Sequence, residues 1–579
     1  MFTTHHPSDG HRLKCTEPRL GTWIQSGLLL ALAVLIYAPT WSAPFFFDDL
    51  TYLVNNPAVR SPAGLAAIWR GTNIDYWPLS YSLFWAWWRL WGDQPLAFHL
   101  LNLAVHLGNT FLLVALLLRL KLRQPWLIAA LFLCHPINVE AVAWIFQLKT
   151  TLAMALALLT ACIFVDACRS RRNVLYGLSV VLFALSLLAK TSAVMLPVLF
   201  LLFVLQQRPE LGLRRALAYV SPHAAVALVL GLIAVRFQAA APEQPEWHGV
   251  VPHVLQIVTV FWFYLGKALW PAPLALFYPK WSLSGLMPWL AVGMTVAFGL
   301  MLVRWRVRPL AKRIFMASCT YALLLLPALG LVPLPFMRLA WVADHWQYLA
   351  LPALLAVVVD AADRSLPLVW MRVAGIGGVA ILSFMAAQRA RVFASPLALW
   401  QEAVTTAPQL ALAHYNLANL YLARGDLAAT AAAYQAAIEA DPSYALAEFG
   451  LGSVCYQRQD IAGATIHLKR ALALNPALAE VHGNLALIYA QAGQLGAATA
   501  ELHAALKIAP SWRRGHYHLG LILYSSGELR SAAKEFEQAL QPEDDLHLGR
   551  VGLSNDFAQE AEARRYLAEI KHALEGATP

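Results

Sequence analysis

A succession of long apolar blocks, running from Leu20 to about Ala387, constrains this chain more than any other feature. About 20 consecutive apolar residues are enough to cross a bilayer as a helix, and a helix in a water-soluble core needs fewer. The 579 residues are 59% hydrophobic and only 13% charged, whereas soluble domains carry roughly 25% charged residues. Because lipid satisfies no backbone polar group, these blocks predict an all-α, multi-spanning membrane domain.

Twelve candidate spans can be recognised, of which about 11–12 are expected to cross the membrane. They are 21–41, 97–119, 125–146, 150–168, 173–189, 191–206, 217–237, 253–270, 285–304, 313–332, 345–360 and 368–387. The segment 253–270 is aromatic and flanked by prolines, and we interpret it as re-entrant or surface-lying. Counting it as a crossing would place the basic residues of 304–313 outside, against the positive-inside rule. With 11 crossings, the loop 42–96 and the C-terminal region both lie outside the cytoplasm.

Charge and cysteine content exclude several classes of function. The net charge of +10 comes with basic clusters at the ends of the apolar blocks, which indicates membrane topology and not nucleic-acid binding. The six cysteines are scattered, without disulfide or zinc spacing. The sequence therefore supports no metal site, although it does not exclude a divalent ion.

The C-terminal region repeats with a period of 34 residues. The register is kept by prolines at 408, 442, 476 and 510, by leucines at 417, 451, 485 and 519, and by alanines at 437, 471, 505 and 539. Glycines mark the turn inside the repeat at 425, 493 and 527, with Gln459 as the exception. This period and pattern are those of the tetratricopeptide repeat, a pair of helices that stacks into an α-solenoid.

The predicted organisation is therefore a membrane domain followed by a repeat array. The boundaries are a cytoplasmic segment at 1–20, the membrane domain at 21–390, four repeats with a leading half unit at 395–545, and a helical cap or tail at 546–579. Repeat arrays bind extended polypeptides on a concave face. The candidate residues for binding an acceptor protein there are His414, Asn416, Glu448, His482 and His516.

Two adjacent carboxylates, Asp48 and Asp49, directly follow the first apolar block. Carboxylates beside a bilayer are costly and usually functional. At that position one of them can act as a general base on a hydroxyl. Lys190, Arg338 and His345 are candidates for binding a phosphate leaving group, since cations stabilise its growing charge.

Other polar residues interrupt the apolar blocks. His99, Asn102, His106 and Asn109 share one helical face, and His135, Glu140, Asp344 and Tyr348 fall near the ends of later blocks. Two interpretations stay open: hydrogen bonds between neighbouring helices, or a shared site with the acidic pair. We take His99, Asn102, His135, Glu140, Asp344 and Tyr348 as further site candidates.

Short motifs extend over nearly the whole chain in a fixed order. They are Phe47-Asp48-Asp49, Trp77-Pro78-Leu79, Phe98-His99-x-x-Asn102-x-x-x-His106, His135-Pro136-x-x-x-Glu140, Leu188-Ala189-Lys190, Trp270-Pro271-x-Pro273, Tyr348-Leu349-x-x-Pro352 and Leu399-Trp400-x-x-Ala403. With these motifs and the repeats, the chain resembles the transmembrane and tetratricopeptide-repeat O-mannosyltransferases and their bacterial relatives, within the C-type glycosyltransferases.

This resemblance implies transfer of a sugar from a polyprenyl-phosphate donor to a protein hydroxyl, on the extracytoplasmic side of a bacterial inner membrane. In such enzymes the acidic residue of the first loop is the catalytic base, which corresponds to Asp48 or Asp49. Two positions depart from the family: Asp344-His345 stand where Glu-Arg is common, and Thr191 stands where Glu is common. Mannose itself is not implied.

Two other classes of function stay open. A non-catalytic membrane scaffold for envelope assembly needs the array but not the charges of Asp48 and Asp49. A transporter is less well supported, because the chain has no evident inverted repeat.

Overall fold

The computed structural model describes residues 20–71, 76–240, 249–305, 308–331, 334–541 and 559–575. Within these ranges all regular structure is helical, as predicted. Of the expected cytoplasmic segment 1–20, all but Leu20 lies outside the described residues, as does 546–558 of the expected tail.

In the part of the chain that the structure describes, sixteen α-helices precede the repeat array. They are α1 (Leu20–Tyr37), α2 (Pro57–Arg60), α3 (Gly64–Arg70), α4 (Pro78–Trp91), α5 (Pro95–Arg119), α6 (Pro125–Leu133), α7 (Asn138–Ala143), α8 (Leu148–Ser170), α9 (Asn173–Ala189), α10 (Leu196–Gln207), α11 (Gly212–Ala239), α12 (Val250–Leu269), α13 (Leu286–Arg304), α14 (Pro309–Leu325), α15 (Leu351–Ser365) and α16 (Leu368–Phe393). Short 3₁₀ helices join several of them, including Ile145–Gln147, Pro335–Arg338 and Asp344–Gln347.

Seven helices in the described part of the chain are long and apolar enough to cross a membrane. They are Gly21–Ser42, Pro95–Arg119, Ile145–Ser170, Pro209–Ala239, Val250–Leu269, Leu286–Arg304 and Leu368–Phe393, with shorter apolar helices at Asn173–Ala189 and Thr191–Gln207. Exposed apolar residues line many of them, as lipid contact requires. Since α12 belongs to this set, our interpretation of 253–270 as a segment that does not cross stays a prediction.

The block 125–146, predicted as one span, is broken in the structure. Helix α6 ends at Leu133, the short α7 follows after Pro136, and a 3₁₀ turn leads into α8. Proline removes a backbone donor and clashes with the preceding helical turn, so it ends the helix here. The break brings Glu140, Trp144 and Lys149 into a compact junction between α6 and α8.

The repeat array has the predicted helix pairs. Its helices are α17 (Pro396–Thr406), α18 (Ala411–Ala423), α19 (Leu427–Ala440), α20 (Ala445–Gln457), α21 (Ile461–Leu474), α22 (Ala479–Gln491), α23 (Leu495–Ile508), α24 (Arg513–Ser525) and α25 (Leu529–Ala539), followed by α26 (Glu560–Glu575). The turns have positive φ at Gly425, Gly493 and Gly527, and Gln459 adopts the same conformation with φ of 64°. Helix α26 packs on the last pair through Ala563 and Ile570.

One continuous core joins the membrane domain to the start of the array. Leu399, Trp400 and Ala403 of α17, together with Leu417 of α18, belong to the same buried cluster as the helices of the membrane domain. The half unit that leads the array is therefore packed against the membrane domain, and it is not a free linker.

Candidate functional site

The two acidic residues of the first loop have different environments. Asp49 is fully buried, and its carboxylate accepts hydrogen bonds from the backbone N–H groups of Phe46 at 3.3 Å and Phe146 at 2.8 Å. Burial raises the pKa of the Asp49 carboxyl, while the two N–H groups act in the opposite direction. Asp48 is only half-buried. Asp49 thus anchors the loop to the turn before α8, and Asp48 is the more accessible carboxylate.

Aromatic rings enclose Phe47, the residue before the acidic pair. Its ring centroid lies 5.4 Å from that of Trp400, 5.8 Å from Trp144 and 6.0 Å from Phe277. Phe47 has a left-handed backbone with φ of 50°, which costs a residue with a side chain about 1–2 kcal/mol. The aromatic contacts stabilise this conformation. The backbone direction at Phe47 in turn sets the position of the next residue, Asp48.

A buried carboxylate–imidazole pair lies at the same junction. Glu140 of α7 accepts from the backbone N–H of His345 at 3.1 Å, and its other oxygen lies 2.9 Å from Nδ1 of that histidine. The ring of His345 lies edge-on to Trp144, with 6.2 Å between centroids. Trp144 therefore contacts both His345 and the phenylalanines that precede the acidic pair.

Asp344 and Arg389 form a second charged group beside this pair. The hydroxyl of Tyr278 donates to Asp344 at 2.9 Å. Burial, and then the nearby charge of Glu140, raises the pKa of the Asp344 carboxyl. Arg389, buried at the end of α16, donates to Glu402 of α17 at 2.6 Å. Among the described residues, the Arg389 Nε and Nη2 atoms and the Asp344 Oδ2 atom have no hydrogen-bond partner.

Two lysines belong to the same junction: Lys149 acts electrostatically on Asp49, and Lys190 acts on Glu140 and His345. The ammonium of Lys190 donates to the hydroxyl of Thr150 at 2.8 Å. That of Lys149 lies 3.5 Å from the ring centroid of Phe146 and 4.4 Å from that of Trp77, a cation–π arrangement. The backbone N–H of Phe146 also donates to the Asp49 carboxylate. Phe146 therefore contacts both a carboxylate, Asp49, and a cation, Lys149.

Arg338 ends the 3₁₀ helix Pro335–Arg338 and is exposed. Its neighbour Phe336 contacts the ring of His345 at 6.4 Å between centroids. The segment that carries Arg338 thus contacts His345 through Phe336.

The polar face of α5 braces the broken helix. The Asn102 amide donates to the carbonyls of Ala141 and Val142 at 3.0 and 2.8 Å, and accepts from the Thr151 hydroxyl at 2.6 Å. His106 lies 2.5 Å from the Tyr348 hydroxyl. Similar hydrogen bonds join His99 to the carbonyl of Ala43 and His135, outside α5, to that of Ala268. The Asn109 amide donates to the carbonyl of Thr151 and to the hydroxyl of Tyr348. Asn102 thus satisfies backbone groups that the break leaves open, and the other bonds join α5 and the segment around His135 to neighbouring elements.

In the array, the predicted polar stripe makes contacts within each repeat. Three pairs join residues 19 positions apart: Glu448 with His467 at 2.7 Å, His482 with Glu501 at 2.6 Å, and His516 with Glu535 at 2.6 Å. His414 lies 2.8 Å from the carbonyl of Pro408, and Asn416 donates to that of Leu412. Burial lowers the pKa of His516, but its hydrogen bonds with Glu535 and the Pro510 carbonyl and the charge of Glu535 together raise that pKa above 6.5. Binding of an acceptor at these residues stays a prediction.

Several residues of the junction had no place in the sequence-based assignment. The sequence did not single out four of them: Trp144, Tyr278, Arg389 and Glu402. Two of these could have been noticed, because Arg389 is a charge at the end of the last span and Glu402 is a charge within the half unit. In the described ranges, no group of three or more His, Cys, Asp or Glu side chains is placed to hold a metal ion.

Comparison with known proteins finds a repeat family and a group of curated relatives. A family model described as tetratricopeptide repeat matches residues 385–444, 415–479 and 484–546. The chain is similar to protein O-mannosyl-transferase TMTC4 of Homo sapiens, 26% identical over 25% of this chain and 22% of that protein. It is also similar to TMTC1 of Homo sapiens, 30% identical over 23% of this chain and 17% of that protein.

Among solved structures, the crystal structure of MamA is 24% identical and covers 25% of this chain and 84% of that chain, with a TM-score of 0.23. The chain matches between 17% and 22% of the length of the curated relatives named above. The tetratricopeptide repeats are confirmed, and so is the resemblance to the repeat-bearing O-mannosyltransferases that the motifs indicated.

Proposed function

We propose that this chain is a membrane glycosyltransferase that moves a sugar from a polyprenyl-phosphate-linked donor to a protein hydroxyl outside the cytoplasm. One observation carries the proposal: an accessible carboxylate, Asp48, lies beside an anchored one at a junction that also holds two lysines. Sugar transfer from a phosphate carrier needs a base for the acceptor and cations for the leaving phosphate. The similarity to O-mannosyl-transferases supports this class of reaction.

In this proposal the two aspartates divide the work. Asp48 is the base that takes the proton of the acceptor hydroxyl, because its carboxylate is accessible. Asp49 positions the loop through its bonds to the backbone of Phe46 and Phe146. A general base contributes typically 100- to 10,000-fold to a rate.

Lys190, Arg338 and His345 bind the donor phosphate. His345 stands where the family commonly has Arg, and Glu140 holds its backbone and Nδ1. That hydrogen bond orients the ring and leaves Nε2 as the group that can contact a ligand. Lys149, stacked on Phe146, adds positive charge beside them.

The array presents the acceptor protein. Trp400, at its leading helix, contacts Phe47 directly, so an acceptor bound along the first repeats is delivered next to Asp48. This arrangement supports placing the array and the acidic loop on the same, extracytoplasmic side of a bacterial inner membrane.

The experiment compares intact masses of periplasmic proteins from cells that carry the wild-type chain, Asp48→Asn or no chain. We expect a hexose-sized or similar increment only with the wild type, and at least about a 100-fold loss of transfer in Asp48→Asn. Asp93→Asn is the matched control, because Asp93 is an exposed carboxylate of the same loop. Wild-type transfer by Asp48→Asn, inserted at equal level, would refute its role and favour the scaffold alternative.

A further inference from the structure

A basic cavity lies far from the acidic loop, at the other end of α9. It has a volume of about 300 Å³ and is formed by the turn after α8 and the turn after α10. Helix α9 has 17 residues, which at 1.5 Å per residue separate its ends by about 25 Å. Lys190 follows one end and this cavity lies at the other, so the two sites face opposite sides of the bilayer if α9 crosses it, as the sequence predicts.

Three arginines line the cavity, against one carboxylate, Glu210. Arg208 is fixed in place, because it donates to the carbonyl of Cys168 and lies 5.6 Å from the ring centroid of Tyr219. Arg171 and Arg172 form the turn between α8 and α9.

None of these three arginines forms an ion pair with any residue that the structure describes. The nearby Arg119, by contrast, is paired with Asp166 at 2.9 Å. Within the described ranges, the cavity therefore carries a net positive charge, with three arginines against Glu210 and no ion pair to those arginines.

Apolar residues surround this cavity on the outer surface of the helices. Val174 of α9 is 82% exposed, and Leu213 and Leu217 of α11 are 59% and 50% exposed. In a membrane such residues contact acyl chains. A ligand with an anionic head and an apolar tail thus matches both the cavity and its surroundings.

We propose that this cavity binds the head group of an anionic phospholipid in the leaflet opposite the acidic loop. Guanidinium groups bind phosphate oxygens in a bidentate manner. Basic pockets between helices at the membrane surface hold anionic head groups for the same reason. The proposal does not depend on glycosyl transfer, since it rests on residues that are remote from the acidic loop.

Native mass spectrometry of the full chain in detergent tests the proposal, with phosphatidylglycerol and phosphatidylcholine as probes. Wild-type protein retains phosphatidylglycerol selectively. Each arginine near an anionic head group contributes roughly a fivefold gain in affinity, so Arg171→Gln/Arg172→Gln/Arg208→Gln weakens retention roughly 100-fold. If the triple variant fails to fold, the single variant Arg172→Gln replaces it, and its retention of phosphatidylglycerol is expected to fall roughly fivefold.

The matched control is Arg214→Gln/Arg215→Gln, which removes two exposed charges from the first turn of α11 that do not line the cavity. It leaves retention unchanged if the cavity is the site. Equal loss in this control, undiminished retention in both cavity variants, or equal binding of phosphatidylcholine would overturn the proposal. Displacement of the lipid by inorganic phosphate, but not by chloride at the same ionic strength, would assign the cavity to a soluble anion instead.

Discussion

Replacing Trp400 with alanine tests whether the leading helix of the array positions the acidic loop. Trp400 is 2% exposed, and truncating a buried tryptophan costs about 3–5 kcal/mol. Its ring contacts with Phe47 and Phe277, at 5.4 and 6.0 Å between centroids, contribute about 0.5–1.5 kcal/mol each within that loss. The left-handed conformation of Phe47 costs about 1–2 kcal/mol. Without Trp400, the remaining aromatic contacts of Phe47 contribute about as much as this conformation costs. We expect the loop to relax and Asp48 to move.

A displacement of about 1 Å at a catalytic group can reduce a rate roughly 100-fold. We therefore expect Trp400→Ala to lower kcat for transfer to a short acceptor peptide by about 10- to 100-fold, with little change in KM for the peptide. The peptide is too short to need the array, so loss of acceptor capture does not explain such a result. Trp400→Phe keeps an aromatic ring against Phe47 and is expected to retain most of the activity.

The matched control is Trp512→Ala, which truncates another buried tryptophan in the array, 4% exposed and packed on Ala479, Ala505 and Ala509. It is expected to weaken the distal repeats and leave peptide transfer intact. Wild-type kcat in a folded Trp400→Ala protein would refute the positioning argument. An equal loss in Trp512→Ala would show that general destabilisation is the cause.

Three further predictions follow from single contacts. Lys190→Ala is expected to raise KM for the lipid-linked donor by about 10- to 100-fold, since a hydrogen bond from a charged group contributes about 1.5–3 kcal/mol; donor affinity at the wild-type level would contradict a phosphate role. Asn102→Ala leaves buried carbonyls of α7 without donors and is expected to cost about 1–3 kcal/mol per group, measured as a lower Tm in detergent, whereas Asn173→Ala at the exposed start of α9 leaves Tm unchanged. Because the folded-state pKa of His516 is raised above 6.5, its pair with Glu535 stabilises α24 and α25 fully below pH 6.5, and this contribution is lost as pH rises through the folded-state value. The protection factors of these two helices, which correct for the rise of intrinsic exchange with pH, should therefore fall at higher pH in the wild type and fall less in Glu535→Gln; an undiminished fall in the variant would contradict the assignment to this pair.

Local sequence patterns predicted the parts of the fold that local physics determines. The period of 34 residues identified the repeats. Gln459, the exception to the glycine pattern, still forms the turn, because it adopts the same positive φ as the glycines, at 64°. The apolar blocks likewise predicted most helices to within a few residues. These features depend on propensity and periodicity, which are readable within a short window of sequence.

The junction could not be predicted in the same way, because its contacts join distant segments. The break after Leu133 is stabilised by Asn102, which lies 39 and 40 positions before the two carbonyls that it binds. The sequence showed that His99, Asn102, His106 and Asn109 share a face but did not show what the face contacts. Nor could it distinguish Asp48 from Asp49, since that difference depends on the backbone of Phe146, 97 residues away from Asp49.

The connection between the array and the membrane domain bears on how an acceptor reaches the acidic loop. Flexible tethering raises the local concentration of a bound partner but leaves its orientation free. Here α17 is held on both sides, by Trp400 packed on Phe47 and by Glu402 bound to the buried Arg389. Because Arg389 is buried, removing Glu402 would leave its charge unpaired inside the protein, so this attachment is not easily released. Under the proposed function, a peptide bound along the first repeats would therefore be presented in a fixed direction, and which acceptor hydroxyl reaches Asp48 would depend on its distance along the peptide from the bound segment.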